Sequence, residues 1–138
     1  MTATFTSVLA GLVSPGVYTW RGRRDRDLAA EATAAGWQAL SLDTRGAASF
    51  EDFYDEVATS WALPDWFGRN LDALFDVLAD LTAQRTLIVW DGLRELADVD
   101  PVQTSAVVEV LRDATGQAST LVVVVRDDLD VSEFDGLL

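Results

Sequence analysis

The chain has 138 residues, 23 of them acidic against ten arginines, for a formal net charge of −13. It contains no lysine, cysteine or histidine, which excludes disulfides, thiolate nucleophiles, Ser–His and Cys–His catalysis, zinc sites of the usual kind, Schiff-base chemistry and a phosphate-binding loop lysine. The length suits one domain with a real core, 49% apolar content argues against disorder, and a surface this acidic repels phosphate backbones and anionic membranes while attracting basic proteins.

The N-terminal stretch Met1–Val13 has no basic flank and is too short in its apolar part to span a membrane. Phe5, Val8, Leu9, Leu12 and Val13 follow helical spacing, which predicts a short helix ended by Ser14-Pro15-Gly16. Val17–Trp20 reads as a strand. Asp25–Ala35 reads as a helix stopped by Gly36, and Trp37–Leu42 as the next strand, which together make a βαβ unit. After the loop Asp43–Ser49, the residues Phe50, Phe53, Tyr54, Val57 and Ala58 recur at helical spacing behind a Ser49/Asp52 capping pair. That helix is expected to stop near Leu63-Pro64, since proline pushes the preceding residue out of the helical region.

Asn70–Leu81 is the clearest amphipathic helix, with Leu71, Leu74, Phe75 and Leu78 as its buried stripe. Thr86–Trp90 and Thr120–Val125 are continuous apolar runs that suit strands covered on both faces. Between them a helix is predicted over about Pro101–Ala114, with Val107, Val108, Val110 and Leu111 inward. The tail from Arg126 to Leu138 is acid-rich. Strands alternating with helices predict an α/β domain with a small, mostly parallel sheet. Nothing in the sequence signals export, so a cytoplasmic location is the expectation, with no cofactor and no metal.

Asp72, Asp76 and Asp80 lie at i, i+4 and i+8, in one line along the amphipathic helix. Like charges at that spacing cost about 0.2–0.5 kcal/mol per pair, and aspartate is a poor residue inside a helix. Asp72 gains from its place in the first turn, whereas Asp80, near the C-terminal end, does not. The bland alternative is a solvated face. The residues before the helix shift that balance: Trp66 and Phe67 stand in a turn segment, Gly68 permits positive φ or a close backbone approach, and Asn70 can cap the helix or reach a partner. Aromatic anchors beside fixed carboxylates suit docking on a basic, concave surface.

The run Pro64-Asp65-Trp66-Phe67-Gly68-Arg69-Asn70-Leu71-Asp72-Ala73-Leu74-Phe75-Asp76 resembles the signature of the barstar family, intracellular protein inhibitors of secreted microbial ribonucleases. The resemblance covers about Ala39 to Val125. Residues 1–38 then form an N-terminal extension that adds a helix and a βαβ-type unit to the family's sheet, and residues 126–138 an acidic tail. It implies that Asp76 takes the place of a substrate phosphate in the nuclease active site, with Asp72 a second acidic contact. It also implies that Trp66 stacks near the nuclease's catalytic histidine, and that Phe67, Gly68, Asn70, Leu71, Phe75 and Ala79 occupy further positions of the interface. Leu111-Arg112-Asp113-Ala114 is similar to the segment bearing an additional acidic contact, here Asp113. Three positions depart from the pattern of the best-known member: Arg69 replaces an acid, Ala79 a hydroxyl residue and Leu81 an aromatic. The expected activity is inhibition rather than catalysis, by a monomer bound one-to-one.

Three alternatives stand beside that reading. One is an immunity protein or regulatory module on the same fold aimed at another toxin. The second is a carboxylate- or magnesium-dependent enzyme using Asp91 and Asp127-Asp128 at strand ends, where α/β folds place active sites. The third takes Arg21, Arg23, Arg24 and Arg26 as a nucleic-acid patch, against which Asp25 and Asp27 interrupt the run.

Overall fold

The runs Leu87–Trp90 and Leu121–Val125 are apolar at every step, and the fold gives each of their faces something to cover. In the computed structural model, which describes residues 4–23, 25–117, 120–126 and 135–137, five strands form one all-parallel sheet. They are β1 (Gly16–Trp20), β2 (Gln38–Asp43), β3 (Thr86–Asp91), β4 (Leu121–Val125) and β5 (Asp135–Leu137), in the order β2-β3-β4-β1-β5. Leu87 and Val89 of β3, with Val122 and Val124 of β4, point to one side, where they meet Phe5, Val8, Leu28, Ala32 and Trp37. Ile88, Trp90, Leu121, Val123 and Val125 point to the other, into a larger core. The period-two alternation of a strand thus feeds two helical layers.

Six helices supply those layers: α1 (Phe5–Leu9), α2 (Leu28–Ala34), α3 (Phe50–Ser60), α4 (Leu71–Leu81), α5 (Leu93–Val99) and α6 (Pro101–Gln117). α1 and α2 cover the first face, and α3 to α6 the second. The βαβ unit expected near the N-terminus is β1-α2-β2, but its strands do not neighbour each other. β1 pairs with β4, Val17 opposite Val123, while β2 pairs with β3, Leu40 opposite Ile88. The N-terminal extension therefore widens the sheet at the β4 edge and roofs its other face.

Several boundaries differ from expectation for local reasons. The first helix stops at Leu9, because Gly11 at φ +76° closes it with bonds from Gly11 N–H to Val8 O and from Leu12 N–H to Ser7 O. Leu12, expected on the buried stripe, is 81% exposed. α3 ends at Ser60, three residues before Leu63. The cause is Ala62 in the left-handed region at φ +52°, with Leu63 N–H donating to Ala58 O, rather than the proline that follows. α5 is not predicted by the pattern. β5 lies in the acid-rich tail, where it extends the sheet by pairing with β1, while the rest of 127–134 and residue 138 lie outside the described residues. In α4, Leu74 and Leu78 are fully buried, whereas Leu71 and Phe75 are only partly so.

A buried polar knot ties the C-terminal edge of the sheet to the loop after β2. Trp90 Nε1–H donates to Thr44 Oγ at 2.9 Å, and the Thr44 hydroxyl donates to Gly92 O at 2.6 Å, with Trp90 and Thr44 both wholly buried. Thr44→Val keeps the shape but strands an indole N–H and a carbonyl, so it should cost about 1–3 kcal/mol in denaturant unfolding. Unchanged stability would show that the knot is replaceable by packing.

Candidate protein-docking site

Asn70 starts α4. Its backbone is extended, its Oδ1 accepts from Ala73 N–H at 2.8 Å, and its Nδ2 donates to Gly68 O at 3.0 Å. Both ends of the amide are therefore engaged within the loop, so its structural duty is to fix the helix start. From there the line Asp72, Asp76 and Asp80 runs along the exposed face of α4. Asp72 sits in the first turn, where the helix dipole favours it. Among the described residues neither Asp72 nor Asp76 meets an arginine within ion-pair distance.

Trp66 and Phe67, adjacent in sequence, part company. Phe67 is 7% exposed and packs on Tyr54 of α3, ring centres 6.4 Å apart, while Trp66 is 84% exposed. Phe67 is thus the plug that seats the loop, assisted by its N–H bond to Pro64 O, and Trp66 is free for an outside surface. Of the two roles open to Gly68, positive φ falls instead on its neighbour Arg69, at φ +51°. Gly68 serves by close approach: a Cβ there would lie 3.2 Å from Ala73 Cβ and 3.3 Å from Asn70 Nδ2.

Leu71 and Phe75 are half-buried against the main core and show part of their apolar surface beside the aspartates. Ala79 and Asp113 are exposed, Asp113 on α6, which packs directly against α4. The start of α4 therefore carries an exposed aromatic, Trp66, before it in the chain and the exposed carboxylates Asp72 and Asp76 on it, with Leu71 and Phe75 partly exposed, while Asp113 is exposed on the neighbouring α6. Such a face can insert into a concave, cationic surface and neutralise it.

On the flank of α3, a groove of about 520 Å³ is lined by Asp43, Asp52, Asp55 and Glu56, together with Gly46, Ala47 and Thr59. Its carboxylates are partly engaged. Asp52 accepts from Ala48 N–H, Glu56 accepts from the Ser60 hydroxyl, Asp55 meets Arg69, and Asp43 meets Arg45 at 2.8 Å. Hydrogen bonds from the Arg45 side chain, against a smaller effect of burial, hold Asp43 below the ordinary carboxylate range. A depressed carboxylate stabilises the fold above its unfolded pKa and loses that contribution as pH falls through its folded pKa. Asp43→Asn should therefore destabilise near neutral pH by no more than about 1 kcal/mol, the pair being exposed, and by less at an acid pH where the folded protein has protonated this carboxyl. Thermal melts at the two pH values check this. An equal penalty at both would assign the effect to packing.

The other sites raised by the sequence resolve differently. Asp91 is held in a two-point ion pair with Arg126, at 2.8 and 3.0 Å, while Asp127 and Asp128 lie outside the described residues. Among the described residues no group of three carboxylates is placed to hold a metal ion. Arg23 pairs with Asp25, and Arg26 pairs with Glu31 while lying over the rings of Phe5 and Trp20; Arg24 is outside the described residues. No described helix is long and apolar enough to cross a membrane.

An all-parallel sheet covered by helices on both faces defines a class of α/β domain, here with an exposed tryptophan and exposed aspartates around the start of α4. Residues 37–127 match the family described as Barstar (barnase inhibitor), and the chain belongs to that family. Among solved structures, it is similar to Cdc6p from Pyrobaculum aerophilum, with TM-score 0.59 and 18% identity over 93% of this chain and 40% of that one. It is also similar to the Aeropyrum pernix ORC2 protein, solved as ADPNP–ADP complexes, with TM-score 0.55 and 11% identity over 97% of this chain and 44% of that one. The chain thus spans less than half the length of these two proteins, and at such identities the likeness is one of fold alone.

Proposed function

We propose that this chain is an inhibitor, not an enzyme, and acts in the cytoplasm by binding a microbial guanyl-specific ribonuclease one-to-one and covering its active site. The observation that carries the reading is the pairing of an almost fully exposed Trp66 with the exposed Asp72 and Asp76 at the start of α4. A protein serving only its fold gains nothing from a solvated tryptophan beside like charges. A ribonuclease site must hold cations for the substrate phosphate, and on this reading Asp76 answers them, supported by the field of Asp72 and Asp113. Family membership supports a protein partner of this kind. The nucleotides named with the ORC2 protein do not transfer, since this chain has no lysine for a phosphate-binding loop.

Titration calorimetry against a guanyl-specific microbial ribonuclease tests the reading: a saturable one-to-one heat is expected, and no heat at micromolar concentrations of both proteins would refute it. Arg69, standing where the best-known relative has an acid, favours a second reading on the same face, in which the target is another toxin. Binding that is saturable with a different toxic enzyme and abolished by Asp76→Ala would establish that second target.

A further inference from the structure

The docking loop is held at its two ends by α4 and α3, but its centre has no apolar support. Asn70 anchors it to α4, and Phe67 anchors it to Tyr54 of α3. Between them Gly68 and Arg69 are exposed, and Arg69 adopts a left-handed backbone that an arginine rarely takes. Such a conformation persists where the surroundings over-determine it. Here the side chain supplies that determinant: Arg69 Nη1 donates to Asp55 Oδ1, fourteen residues back on α3, one position beyond Tyr54.

We propose that the Arg69–Asp55 ion pair is a clamp that holds the Trp66–Asn70 loop in its docking shape, which makes Arg69 a positioning residue of the interface. The proposal rests on the docking face described above. Both side chains are about half exposed, 49% and 52%, so the pair adds little to global stability, and its effect is local to the loop it ties. Ordering that loop before encounter removes a cost that binding would otherwise carry, and such gains show mainly in the off-rate. The departure from the best-known member's acid at this position then has a function within the chain itself: the arginine's charge is answered by Asp55, not offered to the partner.

Two variants separate a clamp from a plain charge effect. Arg69→Gly keeps the left-handed backbone accessible and makes the protein more acidic, whereas Asp55→Asn makes it less so. If the two residues acted only as charges toward a basic partner, the two variants would shift binding in opposite directions. A clamp predicts that both raise the off-rate from a guanyl-specific ribonuclease by roughly two- to fivefold, and that the exchanged pair Asp55→Arg with Arg69→Asp restores it. In the free protein, both single variants should speed amide exchange in residues 65–70 while leaving the core strands unchanged. Opposite shifts in off-rate, or no change in exchange across the loop, would overturn the clamp. If the wild-type chain does not bind the ribonuclease, the docking reading fails, and amide exchange in the free chain still decides the clamp.

Discussion

Asp76→Ala is expected to weaken binding to the ribonuclease by about 4 kcal/mol or more, near a thousandfold, while leaving the unfolding midpoint unchanged. The upper end of the known range for such central residues is set by the corresponding aspartate of the family's best-known member, so the magnitude is carried over from the family and not calculated from this structure. The direction follows from the proposed docking of this face on a cationic site. Asp76 lies on the exposed face of α4, one turn from Asp72 and next in sequence to the half-buried Phe75. A pair of unit charges 4 Å apart gains only about 1 kcal/mol in water but near 4 at an effective dielectric of about 20. The aromatic and apolar rim is what would exclude water around that carboxylate. Removal also leaves the partner's cations buried and unanswered, which adds to the loss. Asp80, two turns beyond Asp72 and remote from Trp66 in the chain, should contribute only to the general field. Asp80→Ala is the matched control, with a change below about 0.5 kcal/mol that disappears in high salt. Equal effects at the two positions would mean that net charge alone drives association.

The second large effect lies away from the docking face. Gly92 joins β3 to α5 at φ +96°, and a Cβ there would fall 2.4 Å from Arg45 N and 2.7 Å from the Thr44 carbonyl carbon. Those are backbone atoms, which cannot swing aside as a side chain would. Gly92→Ala combines a left-handed penalty with a collision against the turn after β2, the turn that Thr44 ties to Asp91 and Gly92 by its own hydrogen bonds. Destabilisation of about 3 kcal/mol or more is expected in denaturant unfolding. Gly46, where an added Cβ would meet nothing, is the contrasting position, and Gly46→Ala should change stability by less than about 1 kcal/mol. A small effect at Gly92 would mean that the two turns are free to move apart.

The contrast between these two predictions shows what was legible in the sequence. α4 could be read because its information is local: an Asn cap, apolar residues three and four apart, and aspartates in register. The continuous runs of β3 and β4 announce a doubly covered sheet for the same reason. What escaped is set by distant contacts. α5 has seven residues and begins at a glycine that provides no side-chain cap, so no start signal marks it. β5 has three residues, and β1 supplies its pairing. The separation of Trp66 from Phe67 is decided by Tyr54, thirteen residues back in sequence from Phe67, and the left-handed residue proved to be Arg69, tied to Asp55, and not its glycine neighbour. The strand order, with β1 against β4 and not against β2, likewise rests on pairings between residues far apart in the chain.

If the docking face suffices to silence a nuclease, the most direct measurement is RNA cleavage by a guanyl-specific microbial ribonuclease titrated with this protein. Activity is expected to fall linearly to zero at one equivalent of the wild-type chain and to be largely retained at one equivalent of Asp76→Ala, at nanomolar concentrations of both proteins. Full cleavage in the presence of excess wild-type chain, or equal inhibition by the variant, would contradict it.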